Sequence, residues 1–233
     1  MKGPHIIYSI KLIFKQISIN KIFKVLSILF LFISTIFAQS WHLQNSGVDK
    51  TLNDIYFVDT LHGWAVGDSA IIIATTDGGE TWQRQNSPVD TVILKKVFFV
   101  NENVGYTVGM SGTILSTKDG GTTWVENESS VDYSLWDISF ANEDTGWVVG
   151  GDFFLTRKWG VILHTKDGGQ TWEKQLETYS PSFFSSKLFT TISFVDKNNG
   201  WAFAGDYVDS FSPTYVYRTD NGGEEWSIVG VAD

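Results

Sequence analysis

Cysteine is missing altogether, and proline occurs four times and methionine twice in 233 residues. Without cysteine the chain forms no disulfide and offers no thiolate to a metal, so its fold must rest on buried apolar area. Arginine is nearly as scarce: Arg84, Arg157 and Arg218 are the only three, on separate segments. His42, His62 and His164 are scattered as well, and no histidine metal cluster is expected. Basic charge is low, with 17 Lys and Arg against 26 Asp and Glu. Five of the lysines lie in residues 1–38, which hold no acidic residue, so the remainder has 12 basic and 26 acidic side chains and a net charge near −14. That balance excludes binding to nucleic acid or an anionic lipid surface, which needs clustered Lys and Arg. No Gly-rich phosphate loop and no Ser/His/Asp constellation stands in a convincing context, so no cofactor is expected.

Residues 1–38 read as a targeting segment. Lys2, Lys11, Lys15, Lys21 and Lys24 precede an apolar run from Val25 to Phe37, and Ala38 offers a small residue for cleavage. Thirteen or so apolar residues are short of the ~20 that a membrane span needs. The expectation is a signal peptide and an exported protein, periplasmic, cell-surface or extracellular. Left uncleaved, the segment would be the one membrane contact.

What the chain has in abundance is aromatic residues and glycine, with 10 Trp, 17 Phe, 8 Tyr and 22 Gly, and they recur in register. The octets TTDGGETW (75–82), TKDGGTTW (117–124), TKDGGQTW (165–172) and TDNGGEEW (219–226) share the pattern Thr-x-Asp-x-Gly-x-x-Trp. In each box a short side chain (Asp77, Asp119, Asp167, Asn221) accepts backbone hydrogen bonds. A glycine (Gly79, Gly121, Gly169, Gly223) takes the positive φ of a tight turn. A tryptophan (Trp82, Trp124, Trp172, Trp226) starts the next strand, and burying its roughly 200 Å² contributes about 5 kcal/mol gross. These residues are expected to be structural.

Two more anchors precede each box. Gly63-Trp64, Gly105-Tyr106, Gly146-Trp147 and Gly200-Trp201 form one; apolar segments ending at Phe57, Phe99, Phe140 and Phe194 form the other. Each repeat therefore reads as four short strands separated by polar turns, with no helical period. Units of four strands recurring every 40–50 residues or so predict an all-β fold, a β-propeller of antiparallel blades. The blades fall at about 51–86, 92–127, 134–176 and 188–230 of a domain spanning 39–233. Trp41-His42-Leu43-Gln44-Asn45-Ser46 matches the stretch after the first box, so an orphan outer strand is expected at about 40–46 and the propeller is expected to be partial or truncated.

The boxes resemble the Asp-box, or BNR-like, repeat of sialidases, xyloglucanase-type glycoside hydrolases and sortilin-type receptors. The fuller repeat, from Trp41 to Trp226, is most similar to the photosystem II assembly and stability factor propellers and their bacterial relatives. That resemblance implies a non-enzymatic scaffold binding a protein or a glycan. It also implies a seven-bladed ring with an arginine-rich patch for a photosystem subunit precursor, from which four repeats and three arginines depart.

The aromatic insertions carry the most weight as a site. Blade three has an insertion at 152–159 and blade four one at 206–213, with a long connection at 177–187 between them. These place Phe153, Phe154, Trp159, Tyr179, Phe183, Phe184, Tyr207 and Phe211 on loops of one face, and aromatic loop residues favour binding. The alternative is a fragment of an Asp-box glycoside hydrolase of sialidase or xyloglucanase type. Asp54 and Asp137, at matching innermost-strand positions, would be its carboxylate pair. Asp196–Gly200 comes nearest to a calcium loop without its full set of oxygen ligands, and no metal site is expected.

Overall fold

The computed structural model describes residues 43–154, 157–180, 187–205 and 214–232. The signal segment, Phe183, Phe184, Tyr207 and Phe211 lie outside the described residues. Gln44–Asp233 forms a unit separate from Met1–Leu43, and every strand among the described residues belongs to it.

Among the described residues sixteen strands make four sheets. The first holds β1 (Leu52–Phe57), β2 (Gly63–Gly67), β3 (Ile72–Thr75) and β4 (Gln83–Arg84). The second holds β5 (Leu94–Phe99), β6 (Gly105–Gly109), β7 (Ile114–Thr117) and β8 (Val125–Asn127). The third holds β9 (Leu135–Phe140), β10 (Gly146–Phe154), β11 (Arg157–Thr165) and β12 (Glu173–Ser180). The fourth holds β13 (Leu188–Phe194), β14 (Gly200–Gly205), β15 (Thr214–Thr219) and β16 (Ser227–Ala232). Each is an antiparallel meander in chain order, a propeller blade, and the one helical piece among the described residues is a 3-10 turn at Asp68–Ala70. The innermost strands pack in succession, β1 on β5, β5 on β9 and β9 on β13, and the sheets do not close into a ring.

The register repeats. Phe57 pairs with Gly63, Phe99 with Gly105, Phe140 with Gly146 and Phe194 with Gly200. Each innermost strand carries one extra residue (Asn53, Lys95, Trp136, Thr190) as a bulge, which increases local twist. The glycine before each second-strand aromatic is a matter of space. A Cβ on Gly63, Gly105, Gly146 or Gly200 would come within 2.4–2.6 Å of the paired phenylalanine ring.

The core lies between blades. Trp64, Val66 and Ile72 of blade one bury against Leu94, Val97, Phe99, Leu115 and Trp124 of blade two. Tyr106, Val108 and Ile114 do the same with blade three, and Trp147, Val149 and Ile162 with blade four. Each sheet thus has a trailing face, covered by the next blade, and a leading face that covers the one before. A central strand such as β2 is buried at every residue, whereas β1, at the open leading end, alternates between half-buried and exposed.

Candidate functional site

The four boxes share one hydrogen-bond scheme. In the first, Thr75 Oγ1 donates to Asp77 Oδ1 (2.7 Å) and accepts from the Gly79 N–H (2.9 Å), while the Thr81 N–H and hydroxyl donate to Asp77 Oδ1 and Oδ2 at 2.9 and 2.6 Å. Asp119 with Thr123 and Asp167 with Thr171 repeat it. The second box glycine has φ of 91°, 89°, 78° and 87° in blades one to four. These bonds, led by the threonine hydroxyl, hold the carboxyls of Asp77 and Asp167 down at about 2 and lower that of Asp119. In blade four the Thr is Glu225, whose N–H donates to Asn221 Oδ1 (3.0 Å). An amide there accepts the same backbone bond without setting a second carboxylate beside Glu225.

The turn after each innermost strand is built alike. Asp59, Asn101, Asn142 and Asp196 each accept two backbone N–H bonds from residues two and three positions on. Asp196 is thereby an Asx turn. Among the described residues no group of three His, Asp or Glu is placed to hold a metal.

Asp54 and Asp137 are tied to backbone. Asp54 Oδ2 accepts the Val97 N–H (2.9 Å), with Lys96 Nζ at 3.4 Å from Oδ1. Asp137 Oδ2 accepts the Ile192 N–H (2.9 Å) and its Oδ1 the Ile138 N–H (3.0 Å). Each carboxylate stitches its innermost strand to that of the next blade. Asp137 is only 8% exposed, and burial pushes its carboxyl up despite those bonds.

Sequence reasoning missed the links between a blade and the next box. Trp64 Nε1–H and Gln85 Nε2–H both donate to the Gly120 carbonyl, and Gln85 Oε1 accepts from Trp124 Nε1 (each 3.0 Å). Trp147 and Gln175 donate likewise to Gly222 O, at 3.1 and 2.9 Å. Between blades two and three the Tyr106 hydroxyl donates to Gly168 O (3.1 Å). The signal was present, since a glutamine stands three residues after Trp41, Trp82 and Trp172. Residues 43–46 form no strand. Gln44 nonetheless lies over Gly79 where Gln85 lies over Gly121 and Gln175 over Gly223, in the space a Cβ would take.

The insertion of blade three differs from the loop expected. Phe153 and Phe154 are on β10 and Trp159 is on β11, with Asp152 opposite Trp159 and Phe154 opposite Arg157. On the other side Trp159 pairs with Tyr179 of β12. The added residues continue the strands, so their backbone groups are satisfied in the existing ladder. Tyr179 is 49% exposed. Nearby, Lys187 Nζ sits 4.6 Å from the Tyr215 ring centroid, and Glu177 accepts from Tyr133 (2.8 Å) and Lys174 (2.9 Å). A polar crevice of about 490 Å³, lined by His62, Arg84, Gln85, Glu102 and Asp119 among others, opens between blades one and two. No motif marks it, since it arises from how one repeat leans on the next.

With this geometry in view, the relatives are informative. The sequence profile of the family described as photosynthesis system II assembly factor YCF48 matches residues 33–93 and 86–232. The chain belongs to this family. The photosystem II assembly lipoprotein Ycf48 of a Synechococcus species is 35% identical over 48 residues, which is 21% of this chain and only 14% of that relative's length. A solved structure described as YCF48 bound to D1 peptide superposes with a TM-score of 0.50 at 17% identity, covering 82% of this chain and 84% of that one. A GH74 xyloglucanase from Xanthomonas campestris gives a TM-score of 0.48 at 9% identity, over 77% of this chain and 38% of the enzyme. At 17% identity the YCF48 structure speaks to fold alone. The YCF48 family and the four meander sheets agree on a β-propeller.

Proposed function

We propose that this YCF48-family chain is an exported, non-enzymatic scaffold that holds a polypeptide partner, with the strand extension of blade three as its contact surface. The observation that carries the reading is the occupation of its carboxylates. Asp54 and Asp137, the best pair for sugar cleavage, each accept a backbone N–H from the next blade, at 2.9 Å. A general acid or nucleophile must be free to meet the substrate. The box aspartates are engaged in their own hairpins. Membership of an assembly-factor family supports the same reading, as does a relative solved with a peptide, and curated relatives named lipoproteins are consistent with export. Tyr179, exposed on β12 opposite position 159 of β11, supplies aromatic area of the kind typical of interface hot spots.

A photo-reactive amino acid at position 179, in the full chain expressed in its own host, tests this. The expected result is a cross-link to one protein, lost on Trp159→Ala. Release of sugar from xyloglucan or sialosides by the purified chain, abolished by Asp137→Asn, would overturn it.

A further inference from the structure

The three junctions between blades share one frame and differ in what stands across the strand from the second-strand aromatic. Trp147 pairs with His164, Tyr106 with Ser116 and Trp64 with Ala74. Between blades three and four that position is filled, and Trp147 lies between two near-parallel rings, Phe194 at 3.4 Å and His164 at 4.9 Å. Trp64 has Phe99 at 3.5 Å, yet its cross-strand neighbour is a methyl group, and Ala74 is itself only half-buried. The space that an imidazole takes in blade three is open in blade one. There the crevice of about 490 Å³ reaches in to Trp64 and Ala74. One wall is blade one and the other is the turn and box of blade two, so the cavity is internal to a junction the chain forms in full.

The walls are rich in amides and hydroxyls. Gln83, Asn86 and Asn103 line the crevice, and among the described residues no hydrogen bond engages their side-chain amides. At the next junction the same positions hold Val125, Glu128 and Asp144. Two of the charged groups are committed: His62 to Asp59 at 2.8 Å, and Asp119 to Thr117 and Thr123 in its own hairpin. One guanidinium, Arg84, and one carboxylate, Glu102, remain, and their charges balance. Amides, a guanidinium and a carboxylate can each exchange paired hydrogen bonds with adjacent hydroxyls. The volume falls within the roughly 300–1,000 Å³ of small-molecule sites, and the polar lining disfavours an apolar ligand.

We propose that this crevice binds a neutral sugar unit, with Gln83, Asn86, Asn103 and Glu102 as its hydroxyl-binding groups. The sugar is held and not cleaved, because hydrolysis takes two carboxylates and Asp119 is committed to its hairpin. The site lies at a different junction from the contact surface of blade three, so the two readings stand or fall separately.

Proton–nitrogen correlation spectra of the full chain, labelled at tryptophan, test this. The probes are methyl glycosides of glucose, galactose, mannose and xylose at millimolar concentration, with sodium phosphate and acetyl-trialanine amide beside them. The reporter is the Trp64 indole N–H, which donates to Gly120 O at the back of the crevice. Its signal is expected to move with at least one glycoside and with neither comparison probe. Ala74→His gives blade one the residue that blade three carries in that place, and it abolishes the response by filling the cavity. Gln83→Val, the residue of blade two, weakens binding about tenfold through the loss of one amide's hydrogen bonds. Gln83 is exposed, and an unchanged melting curve shows that this variant is folded. A Trp64 signal that moves with none of the glycosides overturns the proposal. So does movement that Gln83→Val leaves intact, or movement with phosphate or the peptide and with no sugar.

Discussion

The interface between blades one and two and that between blades two and three perform the same task with different chemistry. In the first, an indole and a glutamine converge on one box carbonyl, Gly120 O, and the glutamine also receives the next box tryptophan. In the second, a phenol alone reaches Gly168 O. Asn127, one methylene shorter than glutamine, turns back to Ser116 Oγ (2.8 Å), and Trp172 Nε1 is left buried with no hydrogen-bond partner among the described residues. The common part is an aromatic that both stacks on the next blade's phenylalanine and donates to the next blade's box. The glutamine is an addition the repeat tolerates losing.

The largest way to break the comparison is Trp64→Ala. It removes a side chain 3% exposed, its stack on Phe99 and one donor to Gly120 O. A loss of about 3–5 kcal/mol is expected in denaturant melts. Tyr106→Phe keeps the stack and removes only the hydroxyl, so its expected loss is about 1–2 kcal/mol, and comparable losses would show that stacking is not the main part.

A second test uses the interface of blades three and four, where His164 stacks on Trp147 and binds Gln175. Burial holds its pKa down at about 4 from 6.5, with smaller opposing effects of Lys166 and Glu173. Below 6.5 the unfolded chain takes up a proton that the folded chain refuses. Stability is therefore full above that pH and falls as the pH drops towards about 4, by up to about 3 kcal/mol. His164→Ser, the residue blade two has at Ser116, should flatten that part of the pH profile.

The smallest test sharpens the contrast. Asn127→Gln restores the missing arm of the second interface, gives Trp172 Nε1 an acceptor, and should raise stability by about 1 kcal/mol. No gain would mean that blade three sits differently on blade two than blade two does on blade one.

Much of the fold was legible because strand and turn preferences act locally. Gly78-Gly79 after Asp77, the aromatic and β-branched runs around it and the constant spacing to Trp82 define a hairpin without reference to anything distant. The site was less legible. The extension of blade three looked like a loop because its residues interrupt the repeat, yet Asp152 and Trp159 pair as strand neighbours once the adjoining ladder is there to extend. Asp54 and Asp137 looked like a carboxylate pair because nothing in a sequence says which backbone N–H a side chain will meet forty or more residues away.

By itself, then, the sequence determined the repeat: four sheets, their strand order, the box hairpins and the absence of disulfides or a cysteine metal site. Those come from steric preferences and hydrogen bonds between residues a few positions apart. Only the tertiary structure decided what the blades do to one another. Whether a carboxylate is free or bound to Val97 or Ile192, and whether an aromatic is stacked on the next blade like Trp147 or, like Trp201, meets the Arg218 guanidinium of its own blade, depends on the face each sheet presents to its neighbour. That is a relation between surfaces, and it exists only once both are formed.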